Sequence, residues 1–307
     1  TVMLGKTKWK NSIAVLPSED QSPQKDQELI CEAMTDAIIL KLSTINELKV
    51  RPYPTMRRYK DSDKSIREIG NELKVEKVLS STLKKEGNII RFDAQLIDAE
   101  EEFVIRTYSY EQESSSLFEV QDKISESIAK DMELQFVIQR FNALKKSEPK
   151  NTEAWKYYVK GRHFEHRYKD SNEQKDFDNA VENYKDAIEI EGDYALAYCG
   201  LGNIYEAHFV RGKDKKDFDL MINYYSKAYE IDSDLAQANI GLGWAYFHQE
   251  NFDQAFKFYK RALELDPNNP EIYFNIAAFL RDVGLFDKAI EFYSKAIELD
   301  PTSTEYI

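Results

Sequence analysis

The sequence predicts two folds in one chain. Residues 1–146 read as an α+β domain, a small mixed sheet with packed helices, and residues 147–307 as an all-α solenoid of helical repeats. Three observations carry this. The heptad RALELDP at residues 261–267 returns as KAIELDP at 295–301, 34 residues later. Short apolar runs alternate with helically spaced ones only in the first half. The charge divides at the same place: the first 146 residues hold 23 Lys/Arg against 25 Asp/Glu, and the remainder 19 against 30, within a net charge of −13.

In the first half, SIAVLP (12–17) reads as a short buried strand and residues 26–45 as a helix. LKVRPY (48–53) is a second strand, and SIREIGNELKV (65–75) a second helix. Three strands follow, EKVLSSTLKKE, NIIRFDAQLIDAE and FVIRTYSYE, with EGN (86–88) as a hairpin signal and the acidic run 98–102 as the next turn. Residues 116–133 close the domain as a helix with Leu117, Val120, Ile124 and Ile128 on one face. The order β-α-β-α-β-β-β-α gives a mixed sheet with helices packed on it.

In the second half the 34-residue match spreads beyond the heptad. Leu242, Gly243 and Tyr246 precede Ile276, Ala277 and Leu280 by 34 residues, and Ala255, Tyr259, Ala262 and Pro267 precede Ala289, Tyr293, Ala296 and Pro301 by the same interval. Each copy holds two amphipathic helices. The small residues Gly243, Ala255, Ala277 and Ala289 let paired helices approach, and the Asp-Pro at 266–267 and 300–301 stops the second helix. Two looser copies lie upstream, with charged residues such as RGKDKKD (211–217) expected as a loop between their helices. The count is four repeats, at about 152–192, 193–234, 235–268 and 269–302. One helix pair cannot bury its apolar face alone, whereas stacked copies bury a continuous core. PTSTEYI (301–307) leaves no room for a polar cap, so self-association through the last repeat is expected unless further repeats follow.

The pattern of bulky, small and bulky residues followed by Ala, aromatic, Ala and Pro resembles the tetratricopeptide (TPR) repeat. SIAVLP, IREIGNELKVEKVL (66–79) and RFDAQLIDAE (91–100) together resemble the TolB-like N-terminal α/β domain over residues 10–145. Against that pattern, Ser18 stands where an aromatic is usual, SST (80–82) replaces a glycine-containing turn, and FVIRTY (103–108) carries no Trp. The resemblance implies a bacterial signalling protein in which the two domains follow a nucleotide cyclase, protein kinase or winged-helix domain. Thr1 in place of Met agrees with a piece of a longer chain.

Motifs for chemistry are sparse. LGKT (4–7) follows neither a strand nor a leading glycine, as a phosphate-binding loop requires. His163 and His166 share a helix with no third ligand in register, and Asp98, Glu100, Glu101 and Glu102 form a solvated turn. Cys31 reads as a small core residue. No catalytic constellation, cofactor or metal is expected in these residues. The acidic second half opposes nucleic-acid binding, and no apolar run approaches the ~20 residues of a membrane span.

What remains is a surface. The TPR resemblance implies a concave groove lined by the first helix of each repeat. Its positions are Tyr158, Arg162 and Glu165 in the first copy, Cys199, Asn203 and Glu206 in the second, Gln237, Ile240, Trp244, Phe247 and His248 in the third, and Phe274, Asn275, Ala278 and Arg281 in the fourth. Asn203 fits the family's clamp for a peptide carboxylate, while Cys199, Ile240 and Phe274 stand where a clamp lysine would. Trp244, Phe247 and Phe274 point instead to an apolar patch for a partner segment. The expected function is a non-enzymatic interaction and regulatory module of a bacterial signalling protein, in the cytoplasm. The alternatives are the regulatory C-terminal part of a class III adenylate/guanylate cyclase, and an envelope-associated scaffold on the periplasmic side of a membrane-anchored parent.

Overall fold

The computed structural model describes residues 10–45, 47–113, 117–132 and 149–300. LGKT (4–7) and PTSTEYI (301–307) lie outside them. The chain forms two compact units. The first comprises Thr1–Ile138, Asn268–Pro270 and Tyr293–Ile307, and the second Gln139–Pro267 and Glu271–Phe292.

The first unit is built on a mixed sheet of β1 (Ser12–Val15), β2 (Glu19–Asp20), β3 (Lys49–Val50), β4 (Lys77–Glu86), β5 (Ile89–Asp98) and β6 (Val104–Glu113). Their order is β3-β1-β4-β5-β6, with β2 also on β4. The four residues of β1 are all buried, as a strand flanked by parallel neighbours requires. The β4–β5 hairpin pairs ten residues on each side, closing at Glu86 and Ile89 over Gly87, whose φ of 62° suits glycine. Along β5, Ile90, Phe92, Ala94 and Leu96 alternate inward.

Four helices accompany the sheet: α1 (Glu28–Ser43), the short α2 (Tyr53–Met56), α3 (Ile66–Leu73) and α4 (Leu117–Asp131). Ser65 and Glu68 form a reciprocal capping box at the start of α3. A methyl group on Gly70 would lie 2.5 Å from the Ala99 Cβ, so only glycine lets α3 approach that turn. Val120, Ile124 and Ile128 of α4 are buried, and Lys41 of α1 pairs with Asp122. The expected elements are present. The additions, β2 and α2, are too short to leave a periodic signal.

Tyr293–Asp300 also belongs to this unit. Arg51 is fully buried, and its guanidinium donates to the carbonyls of Leu299 at 2.5 Å, Glu298 at 3.3 Å and Leu73. Burial pulls its pKa down to about 10. Thr55 Oγ1 donates to Asp300 Oδ2 at 2.7 Å. Carbonyls at the end of the last helix, which lack intrahelical donors, are therefore held by an arginine.

The second unit stacks antiparallel helix pairs. The eight helices of the repeats are α5 (Thr152–Ser171), α6 (Gln174–Ile190), α7 (Ala195–Gly212), α8 (Lys215–Ile231), α9 (Ala236–His248), α10 (Phe252–Leu265), α11 (Pro270–Asp282) and α12 (Phe286–Leu299). The extra residues of the first two repeats do not form loops, which corrects the expectation. RGKDKKD completes α7 and begins α8, and α7 and α8 run 18 and 17 residues where α9 and α10 run 13 and 14. Seven added residues are about two helical turns, so one turn on each helix keeps both apolar faces in register.

Tyrosines of the second helices lock the stack. A Cβ on Gly161 or Gly200 would fall 2.7 or 2.3 Å from the Tyr184 ring, and one on Gly202 or Gly241 would fall 2.5 or 2.3 Å from Tyr225. Each ring thus spans its own repeat and the next, seated on two bare backbones.

Candidate functional site

The same tyrosines put their hydroxyls beside first-helix carboxylates. Tyr184 donates to Glu165 Oε2 at 2.5 Å, and Lys169 Nζ donates to Glu165 Oε1 at 2.8 Å. Glu165 is only 4% exposed. Burial pushes its carboxyl up, but Lys169, Tyr184 and Arg162 together outweigh burial and hold it below the usual range.

One repeat on, the Tyr225 hydroxyl lies 2.7 Å from Glu206 Oε2 and 2.8 Å from Asn203 Oδ1. A tyrosine hydroxyl carries one proton, so a second must come from a protonated Glu206 or from an Asn203 amide turned to present Nδ2. Burial pushes the Glu206 carboxyl up to about 7, with Glu271 adding to the rise and Tyr225 and Lys169 opposing it. Near neutral pH this carboxyl is divided between its two forms.

The structure narrows the expected groove. Tyr158 and Ile240 are 8% and 6% exposed, and Cys199 is fully buried, so these side chains are core, not surface. Tyr158 packs between the rings of Tyr184 and Tyr194. Trp244 is half-buried against Phe209 from the extra turn of α7 and against Phe218 near the start of α8, with the His248 ring 3.8 Å away. Phe247 packs on Phe252 and Phe279. The expected open patch at Trp244 and Phe247 is therefore filled by the protein's own rings.

Arg162, Asn203, Glu206, Gln237, Phe274, Asn275 and Ala278 are half-buried, while His248 and Arg281 are exposed. Arg281 donates to Asp282 at 2.7 Å. The residues brought together are Glu165, Lys169, Asn203 and Glu206 with the hydroxyls of Tyr184 and Tyr225, and Glu271 acts electrostatically on Glu206 and Lys169. The groove register misses Lys169, near the end of the first helix α5, and the tyrosines, which lie on second helices. The available signal was Glu165 with Tyr184 and Glu206 with Tyr225, each pair 19 residues apart and the two pairs offset by 41.

This arrangement can do polar recognition: a row of hydrogen-bonding and charged groups of both signs on a rigid seat. Among the described residues no group of three or more His, Cys, Asp or Glu could hold a metal ion, and no helix is long and apolar enough to cross a membrane.

The repeats are matched by the model of the tetratricopeptide repeat at residues 236–269 and 270–303, and a second TPR model matches 172–208. This chain carries TPR repeats. Residues 9–127 match a model described as the second domain of a HilA/YgeH-like transcriptional regulator. A curated relative named "Putative adenylate cyclase 3", from Rhizobium meliloti (strain 1021), is 32% identical over 119 residues. That is 39% of this chain and 20% of the relative, so the chain spans about a fifth of the relative's length. Among solved structures, a thermophilic TPR protein of Thermus thermophilus is 20% identical, covering 54% of this chain and 94% of its own, with a TM-score of 0.38. The first TPR domain of Spaghetti (RPAP3), solved with the HSP90 peptide SRMEEVD, is 25% identical, covering 36% and 83%, with a TM-score of 0.31.

Proposed function

We propose that this chain is a non-enzymatic interaction and regulatory module of a bacterial signalling protein, and that its repeats bind an extended segment of a partner protein along the first helices. The observation that carries the reading is the polar row of Lys169, Asn203 and Glu206, mounted on matched TPR repeats, with Lys169 held by the buried Glu165 and the row tied to two buried tyrosines. A cation beside an amide and a carboxyl favours a segment with both acidic and basic side chains, engaged through polar contacts. Photo-crosslinking tests this in the native cell. A photoreactive residue at Arg162, Asn203 or Asn275 is expected to capture a defined partner, and one at the exposed Lys227 is not. Equal capture from both sets would overturn the groove assignment.

A second reading is favoured by the cyclase-named relative. In it the chain is the regulatory part of a class III cyclase, and the α/β domain is TolB-like, as SIAVLP, IREIGNELKVEKVL and RFDAQLIDAE suggest. The native protein captured from its own cells would then have a mass well above 35.8 kDa and form a cyclic nucleotide from ATP or GTP, modulated by the partner. A native mass near 35.8 kDa would sink the cyclase reading and leave the groove reading standing. The cytoplasm is the compartment we propose, and cell fractionation tests it.

A further inference from the structure

Asn239 breaks a series. At the equivalent place on the other three first helices the chain carries Tyr157, Tyr198 and Tyr273, the four positions stepping by 41, 41 and 34 residues. Tyr198 and Tyr273 donate their hydroxyls to the carbonyl six residues upstream, Gly192 at 3.4 Å and Pro267 at 3.0 Å. Asn239 keeps that bond, its Nδ2 donating to the Ser233 carbonyl at 3.0 Å and to that of Leu235 at 2.9 Å. It does not keep the ring. In the fourth repeat the Tyr273 ring lies 5.8 Å from Phe292, whereas in the third, where Phe258 takes the place of Phe292, no ring comes from position 239. An open cleft of about 380 Å³ lies there. Tyr229 and Phe258, with ring centroids 5.4 Å apart and edge to face, line it. Asn239 lines it too; the residue is 1% exposed, and among the described residues its Oδ1 finds no donor. A buried acceptor in that state asks for a partner. Lys257, Lys260 and Arg261 line the same cleft. Arg261 is held by Asp234 at 2.6 Å and Glu264 at 3.2 Å, whereas among the described residues neither lysine makes an ion pair.

We propose that this cleft binds a small aromatic acid, a single ring with a hydroxyl at one end and a carboxylate at the other. The ring takes the volume that a tyrosine fills in each of the other repeats, against Tyr229 and Phe258. The hydroxyl reaches the end of the cleft at Asn239, whose Oδ1 lacks a donor. The carboxylate stays at the mouth, where Lys257 and Lys260 are exposed and carry the charge to meet it. These two lysines are a local exception in a half that holds 19 Lys/Arg against 30 Asp/Glu, so the cleft selects an anion that the surrounding surface repels. Apolar walls with a few converging polar groups are the usual make-up of a small-molecule site. None of these residues belongs to the polar row of Lys169, Asn203 and Glu206, and the proposal does not rest on the groove reading.

Two probes test the cleft on the whole chain by ligand-observed NMR. One is 4-hydroxyphenylacetate, and the other is 4-hydroxyphenethyl alcohol, its neutral counterpart. The acid is expected to bind with a Kd of about 1 mM or tighter, and the alcohol about fivefold or more weakly at low salt. Asn239→Tyr supplies the missing ring from within the chain. It is expected to abolish binding of both probes while the melting temperature holds or rises, because a filled cleft stabilises the repeat. Lys257→Ala combined with Lys260→Ala is expected to weaken the acid about fivefold or more and to leave the alcohol unchanged. Failure of the acid to bind at about 5 mM, equal binding of acid and alcohol, or binding indifferent to Asn239→Tyr or to the lysine pair overturns the proposal. Should Asn239→Tyr fail to fold, the two exposed lysines decide the matter alone.

Discussion

The first two repeats and the last two follow one pattern and present different chemistry. In the first two, extra helical turns carry rings that fill the ends of the stack, and a tyrosine hydroxyl reaches a glutamate on the facing helix. In the third and fourth, Phe247 and Arg281 stand where Glu165 and Glu206 stood, and phenylalanines come to the surface. The core positions that hold a helix pair together leave the exposed ones free to diverge. One scaffold therefore offers a polar face early in the array and an apolar one late.

The largest effect expected from a single change lies at the end of the late repeats. Arg51→Ala removes the donor to Leu299, Glu298 and Leu73 together and should cost about 3–5 kcal/mol, read by urea denaturation. A loss under about 1 kcal/mol would mean that this end is held by other contacts.

The glycine seats come next. Gly241→Ala drives a methyl group into the Tyr225 ring and should destabilise by about 2 kcal/mol despite alanine's better helix propensity. Gly192→Ala, with nothing within 4 Å of the added carbon, should be nearly neutral. Equal effects at the two sites would remove the tyrosine seat as the organising contact.

A smaller difference separates early from late tyrosines. Tyr225→Phe strands Glu206 and Asn203 and should cost about 1–2 kcal/mol, whereas Tyr259→Phe should cost under about 0.5 kcal/mol. If the two match, the acid–tyrosine pairs contribute no more than ring packing.

An effect of similar size depends on pH. The Glu206 pKa is raised from 4.5 to about 7 on folding, so the folded chain binds the extra proton between those values. Stability should fall as pH rises from about 4.5 to 7 and then level off. Glu206→Gln should flatten that slope and be worth about 1–2 kcal/mol more at pH 8 than at pH 5, a figure reduced for the carboxyl's partial exposure. An unchanged pH profile in thermal melts would place the proton elsewhere.

Much of the fold was legible because it rests on period. The 34-residue spacing, the strand alternation in β5 and the Ser65–Glu68 capping box are local patterns that physics reads in one way. The extra turns were less legible, because a Lys/Asp-rich stretch suits a loop and a solvated helix end equally well. Ser18 and SST, which depart from the TolB-like pattern, prove to be partners. The Ser18 and Ser81 hydroxyls lie 2.6 Å apart in the core, and Thr35 Oγ1 accepts from the Ser18 amide at 3.0 Å. Such pairing across 63 residues leaves no trace in any window. The site was half legible: register names the first-helix positions, but exposure depends on what packs beside them, and Tyr158 and Ile240 were covered by their neighbours.

The tyrosine seats also bear on how the array responds to force. Tyr184 and Tyr225 each sit on two glycines, one per repeat, and so pin the first repeat to the second and the second to the third. Tyr259 has Gly243 in its own repeat, but the place of Gly241 in the next is taken by Asn275. The third junction has no second glycine seat and is closed instead by Phe247, Phe252 and Phe256 around Phe279. Under tension applied from the first repeat to the third, the two tyrosine clasps should make those three repeats yield as a block.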